Sequence, residues 1–121
     1  KNIDGIWKVC SNGGRIITDL KVKDWVTEVV DRGAGEILLT VMDNDGLKNG
    51  FSLEITGIIA EKINIPVIAS GGAGSMEHFK QLFENTKATG GLAASIFHYG
   101  EVKIPDLKKY LFNEKIPVRC M

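Results

Sequence analysis

Three short stretches of small, hydroxylated and acidic residues could together bind an anion. They are Asp43-Asn44-Asp45-Gly46, Ser70-Gly71-Gly72-Ala73-Gly74 and Ala94-Ser95. Glycine lets the backbone approach an anion closely, and the N–H groups at the start of a following helix point towards it. We therefore predict that the second stretch grips a phosphate group, helped by the hydroxyls of Ser70 and Ser95. The alternative is that Gly71-Gly72 only form a tight turn.

The glycine-rich stretch does not match the common nucleotide-binding loops. In the dinucleotide fingerprint the position of the third glycine, after Gly72 and Gly74, holds Glu77. No Gly-Lys-Ser/Thr follows, as a Walker loop would require. The stretch is therefore neither a dinucleotide fingerprint nor a Walker loop.

The acidic stretch does not match a calcium loop. With Gly46 at the sixth position of an EF-hand, Val41 and Ser52 would fill the first and twelfth ligand positions, and both are unsuitable. An isolated stretch of this kind is more often a solvated turn. On the ligand-binding face of a sheet, however, Asp43 or Asp45 could act as a general acid or base.

The elements that position these stretches alternate between the strand and helix patterns. Helices are predicted over 22–31, 52–62, after Ser75 and from about Pro105, and buried strands over 36–42, 66–70 and 91–95. This order predicts parallel strands joined by right-handed crossovers. The three stretches then share the face at the carboxyl ends of the strands, where such folds bind ligands. Residues 1–20 are predicted to form a β-hairpin around Ser11-Asn12-Gly13-Gly14 that elaborates a loop.

Composition limits the classes of function. The 121 residues hold 15 basic and 15 acidic side chains and suffice for one domain, and no basic stripe with aromatics suggests nucleic acid. No apolar run reaches the ~20 residues of a membrane span and no signal peptide is evident, so we expect a cytoplasmic protein. Cys10 and Cys120 have no metal-ligand spacing and are predicted to be free thiols, with a disulfide as the alternative. We expect neither a metal nor a cofactor.

The ordered combination of motifs is more specific than any one of them. It comprises Arg32-Gly33-Ala34-Gly35-Glu36-Ile37-Leu38-Leu39-Thr40, Asp43-Asn44-Asp45-Gly46, Ile68-Ala69-Ser70-Gly71-Gly72-Ala73-Gly74, Met76-Glu77-His78-Phe79 and Leu92-Ala93-Ala94-Ser95-Ile96-Phe97-His98. This strongly resembles the cyclase subunit of imidazole glycerol phosphate synthase over essentially the whole chain. That family is a (βα)8 TIM barrel made of two similar halves. Residues 1–121 resemble most of its C-terminal half, as one incomplete α/β domain of about three βα units plus the hairpin of residues 1–20.

The resemblance implies an activity in histidine biosynthesis. The family enzyme uses ammonia from a glutaminase partner to convert a bisphosphate nucleotide precursor to imidazole glycerol phosphate and an aminoimidazole carboxamide ribotide. Each half-barrel holds one phosphate of the substrate. The positions matching the C-terminal phosphate site are Gly46, Ser70, Gly71, Gly72, Ala94 and Ser95, and Asp45 matches an auxiliary acidic residue.

The chain also departs from that pattern. The two principal catalytic aspartates end the first and fifth strands of the family barrel. The first strand is expected to be missing from residues 1–121 and the fifth to end just before Lys1, so neither aspartate is present. Asp4, in the predicted hairpin stem, is not a replacement. We therefore expect residues 1–121 to be inactive alone, to expose strand edges, and to need an N-terminal half-barrel or self-association. Asn44, Leu47 and residues 85–90 also differ from the usual pattern. The alternatives are a paralogous amidine-forming enzyme, the sister isomerase of the pathway, and a non-catalytic phosphate-binding or assembly module.

Overall fold

The computed structural model describes residues 1–119, and its helices and strands alternate as predicted from residue 22 onwards, apart from a short unpredicted helix at Ser95–His98. The strands are β1 Asn2–Ile3, β2 Ile6–Ser11, β3 Ile16–Lys21, β4 Ile37–Thr40, β5 Val67–Ser70 and β6 Gly90–Leu92. The helices are α1 Val22–Asp31, α2 Leu53–Lys62, α3 Met76–Asn85, α4 Ser95–His98 and α5 Ile104–Asn113.

The strands form two three-stranded sheets, and the one nearer the C-terminus is parallel, in the order β4-β5-β6. Its register aligns Leu38 with Ile68 and Ile68 with Gly90. Side chains alternate between the two faces of a strand. On one face Val67 and Ala69 are 1% exposed, whereas on the other Leu38 is 56% exposed. Within the described residues the helices therefore cover one face of the sheet, as they do in a barrel wall, and the α/β half-barrel prediction is confirmed.

The first twenty residues form a three-stranded antiparallel sheet, in the order β1-β2-β3, where a simple hairpin was predicted. The β2–β3 hairpin is present, and Trp7 and Val9 pack against the core beside α1. The placement of Asp4 in the hairpin stem was wrong, because Asp4 lies in the tight turn between β1 and β2 with φ of +51°. The backbone N–H of Asn2 donates to Asp43 Oδ2 at 2.7 Å, which ties this sheet to the loop after β4.

Two groups of buried side chains form the core. The first lies between α1, α2 and the strands β4 and β5, and comprises Val22, Val26, Val41, Ile55, Ile59, Ala60, Ile63 and Val67. The second lies around α3, α4 and α5, and comprises Phe51, Ala69, Ala73, Phe79, Leu82, Ala88, Ile96, Leu107, Leu111 and Ile116. The rings of Phe51 and Phe79 meet edge to face at 5.2 Å. This contact joins the segment that precedes α2 to the helix that follows the glycine turn.

Several element boundaries differ from the prediction for identifiable reasons. β4 ends at Thr40 and not at residue 42, because the carbonyl of Val41 already accepts N–H groups in the next turn. Gly90-Gly91, predicted as a break, lies inside β6. A Cβ at Gly91 would lie 2.9 Å from the ring of Phe79, so glycine lets α3 pack closely on this strand. Ser75 precedes α3 as expected, but its side chain makes no capping hydrogen bond.

Three global properties follow for residues 1–119. No helix there combines the length and the apolar character that a membrane span requires. No three His, Cys, Asp or Glu side chains of this region are grouped in a way that could hold a metal ion. Cys10 is a free thiol, and Cys120 lies outside the described residues.

Candidate functional site

A pocket of about 200 Å³ lies at the carboxyl ends of β4, β5 and β6. All seven residues that the resemblance assigned to a site line it, namely Asp45, Gly46, Ser70, Gly71, Gly72, Ala94 and Ser95, whereas Asp43 and Gly74 do not. Ala73, from the predicted glycine-rich stretch, also lines it, as do three residues outside the predicted stretches, namely Lys48, Leu92 and Ala93. The three stretches thus converge on one space, which follows from the parallel pairing of their strands.

The glycine turn is shaped by contact with the loop after β4. Gly71 and Gly72 have φ of +98° and +105°, in the left-handed region that favours glycine. A Cβ on Gly71 would lie 2.7 Å from the carbonyl oxygen of Val41, and one on Gly72 would lie 2.0 Å from that of Gly50. Packing between the two loops therefore already requires glycine at both positions. Any affinity of the pocket for an anion would come from the donors that line it.

The loop of residues 41–50 is held by its own hydrogen bonds. The N–H of Gly50 donates to the carbonyl of Gly72 at 2.8 Å, and Asn44 Nδ2 donates to the carbonyl of Gly50 at 3.1 Å. The N–H groups of Asn44 and Asp45 both donate to the carbonyl of Val41. These bonds fix Asp45 and Gly46 at the rim of the pocket without using the N–H of Gly46.

Hydrogen-bond donors remain available around the pocket. Among the backbone hydrogen bonds found outside helices and strands in residues 1–119, none uses the N–H of Gly46, Gly71, Gly72 or Ala73 as donor. Ser70, only 8% exposed, adds a hydroxyl to the lining. Gly71, Gly72 and Ala73 are buried, whereas Gly46 is exposed. Buried N–H groups without a partner are rare in proteins, and an oxyanion is a natural acceptor for these three.

The structure separates the two aspartates that the sequence offered as an acid or base. Asp43 accepts the N–H of Asn2 and so holds the N-terminal sheet in place. Asp45 lines both the 200 Å³ pocket and a larger groove of about 710 Å³ beside β4. Of the two, Asp45 alone is placed where a molecule held in the pocket would extend.

His78 has a role that the sequence did not reveal. Its Nδ1 accepts the N–H of Gly74 at 2.9 Å. Its Cδ2 also lies 3.6 Å from the position of a Cβ on Gly50. His78 is the third residue of α3, where side chains commonly reach back to N–H groups before the helix. That spacing from the glycine turn is a signal that could have predicted the contact.

Two side-chain contacts brace α3 against α5. Tyr110 Oη donates to Glu77 at 2.5 Å, and Lys80 pairs with Glu114 at 3.0 Å. The hydrogen bond to Glu77 raises the pKa of Tyr110, and the hydrogen bond to Glu114 raises the pKa of Lys80. Glu77 lies on the first turn of α3 and Lys80 on the second, so the two contacts stabilise the part of the helix that carries His78.

The parallel sheet with helices on one face, and the pocket at its carboxyl end, define a part of a β/α barrel. The chain belongs to the histidine biosynthesis protein family, whose model matches residues 1–103.

Named relatives agree with this assignment. The chain is 57% identical over 113 residues to imidazole glycerol phosphate synthase subunit HisF of Phocaeicola vulgatus, covering 93% of this chain and 45% of the relative. It is 55% identical over 119 residues to the subunit of the same name from Streptococcus mutans, covering 98% and 47% respectively. The chain thus spans about half the length of the curated relatives it matches.

Proposed function

We propose that this chain is the C-terminal half of the cyclase subunit of imidazole glycerol phosphate synthase, and that it holds one of the two phosphates of the substrate. The observation that carries the proposal is the convergence of three loops on one small pocket with four available N–H donors. A pocket of about 200 Å³ is smaller than the ~300–1,000 Å³ typical of whole-ligand sites, so it suits one end of a longer molecule. The resemblance to curated cyclase subunits supplies the identity of that molecule.

Under this proposal the chain mainly binds the substrate, and most of the groups that catalyse the reaction lie elsewhere. The substrate is the bisphosphate nucleotide precursor, and ammonia comes from a glutaminase subunit. Asp45, at the rim between pocket and groove, meets the part of the substrate beyond the phosphate and acts as an auxiliary acid or base. The principal catalytic aspartates belong to strands that residues 1–119 do not include.

The open side of the sheet supports a role for further strands. β4 is an edge strand among the described residues, and the groove of about 710 Å³ runs along it. Its lining includes the apolar side chains of Trp7, Val26 and Leu39. An exposed apolar edge strand favours pairing with another strand. We propose that residues 1–121 form one incomplete domain whose barrel is closed by the N-terminal half or, failing that, by a second copy, in the cytoplasm.

The names of the relatives favour the cyclase over the sister isomerase as the parent enzyme. They also weigh against a solely non-catalytic module.

Two measurements test the proposal. Titration of the chain with inorganic phosphate, followed by the amide signals of the glycine turn, should show saturable binding. Cyclase turnover with an ammonium salt and the nucleotide should be absent for the chain alone and should appear when the N-terminal half is supplied. Full turnover by the isolated chain would contradict the division of roles, and absence of phosphate binding would contradict the site.

A further inference from the structure

The pocket has one positively charged side chain. Of its eleven lining residues only Asp45 and Lys48 carry a charge at neutral pH, and the others are small or apolar. A phosphate bound there carries up to two negative charges and lies near the carboxylate of Asp45. Lys48 is then the lining side chain that can balance this charge.

The backbone of Lys48 is in a conformation that lysine rarely adopts. Its φ is +57°, in the left-handed region where glycine and asparagine are common. Its carbonyl oxygen and its Cβ lie 2.2 and 2.7 Å from the position of a Cβ on Gly74. Lys48 is thus wedged against the glycine turn. This contact holds the backbone of Lys48 beside the glycine turn that lines the pocket.

The ammonium group of Lys48, a residue that lines the pocket, pairs with a carboxylate from a distant part of the chain. Its Nζ lies 2.7 Å from Glu101 Oε1, although the two residues are 53 positions apart. Glu101 follows α4, the helix that begins with the lining residue Ser95. The two side chains are 41% and 44% exposed, and ion pairs of this exposure contribute little stability. A stronger anion can therefore displace Glu101.

We propose that Lys48 is the cation of the phosphate site and that its ammonium group is paired with Glu101 until phosphate binds. The phosphate takes the Nζ hydrogen bonds from the carboxylate, so binding opens the bridge between the loop after β4 and the segment after α4. This assignment rests on the proposed phosphate site and adds to it the charged partner and a competing group.

The test compares the phosphate affinity of four variants by calorimetric or NMR titration. Lys48→Met should weaken binding about tenfold or more, since a hydrogen bond to a charged group is lost, and Lys48→Arg should retain most of the affinity. Glu101→Gln should tighten binding, because Lys48 no longer has a carboxylate partner. The double variant Lys48→Met/Glu101→Gln should bind no more tightly than Lys48→Met alone.

A second exposed ion pair serves as the control. Lys87 and Glu61 are 3.1 Å apart and lie outside the pocket lining, so Lys87→Met should leave phosphate affinity unchanged. If the unaltered chain binds phosphate and Lys48→Met binds it equally well, the role of Lys48 is overturned and the pocket stands. If Glu101→Gln weakens binding, the competition is overturned. If the unaltered chain does not bind phosphate, the proposed site fails and this assignment fails with it.

Discussion

The contact between the glycine turn and the loop after β4 can be tested with two alanine substitutions. Gly72 has φ of +105° and Gly33 has φ of +100°, so alanine is strained to a similar degree at both. That strain costs about 1–3 kcal/mol. The surroundings differ, because a Cβ at Gly33 meets nothing within 4 Å, whereas one at Gly72 lies 2.0 Å from the carbonyl oxygen of Gly50. Gly33→Ala is therefore a matched control for backbone strain.

The extra cost at Gly72 can be worked from the hydrogen bonds that must move. Real Cβ contacts are essentially never shorter than 3.0 Å, so Gly50 has to shift by about 1 Å (3.0 − 2.0). Such a shift breaks the bond from the Gly50 N–H to Gly72 and the bond from Asn44 to the Gly50 carbonyl. Two hydrogen bonds at about 1 kcal/mol each give about 2 kcal/mol beyond the strain. Gly72→Ala should therefore destabilise the chain by about 2 kcal/mol more than Gly33→Ala.

Urea unfolding measures this difference. With a slope of about 2 kcal/mol per molar urea, the midpoint of Gly72→Ala should lie about 1 M below that of Gly33→Ala. Phosphate affinity should fall for Gly72→Ala and remain unchanged for Gly33→Ala, since only Gly72 lines the pocket. Equal midpoints for the two variants would refute the reasoning, because they would show that loop 41–50 does not hold the turn.

Three other changes examine the core, the brace between α3 and α5, and the support of the turn. Leu82 is fully buried, so Leu82→Ala should cost about 2–5 kcal/mol in urea unfolding, whereas Leu47→Ala, at a site 61% exposed, should cost less than about 0.5 kcal/mol. The raised pKa of Tyr110 means that its hydrogen bond to Glu77 stabilises the fold fully below pH 10.0, the ordinary value, and is lost as the pH rises through the folded pKa. Between pH 8 and 11 the midpoint of thermal unfolding should therefore fall less steeply for Tyr110→Phe than for the unaltered chain. An identical pH dependence of the two midpoints would contradict this. His78→Phe removes the acceptor of the Gly74 N–H and should weaken phosphate binding more than His78→Asn, which keeps an acceptor. If titration shows weaker binding for His78→Asn than for His78→Phe, His78 does not support the glycine turn through this hydrogen bond.

The elements that were predicted correctly depend on local patterns. Val22 and Val26 repeat at helical spacing and are both buried in α1, while the apolar run around Ile37–Thr40 forms a parallel strand. The parallel pairing then brings all the predicted pocket residues together, because their loops follow neighbouring strands. Periodicity and topology rules were sufficient for this much of the fold and site.

What the sequence did not reveal depends on contacts between distant residues. Asp43 meets Asn2 across 41 positions, and Lys48 meets Glu101 across 53. No local pattern marks such pairs. The short helix α4 was missed because its four residues are too few to show a helical period. In the sequence alone Gly91 indicates a break between elements. The nearby ring of Phe79, which leaves no room for a Cβ, explains why a strand has glycine there.

Residues of the loop 41–50 border two different spaces, the 200 Å³ pocket and the 710 Å³ groove. Gly46 and Lys48 face the pocket of donors, Asp43 is occupied by the N-terminal sheet, and Asp45 borders both spaces. A substrate held by its phosphate would therefore extend past Asp45 towards the uncovered face of the sheet, where Leu38 is exposed. Since that face lacks cover within the described residues, the reacting part of the substrate would be enclosed only when further strands pair with β4. Under the proposed function, the lack of further strands among residues 1–119 would leave a site that grips a phosphate without completing the reaction.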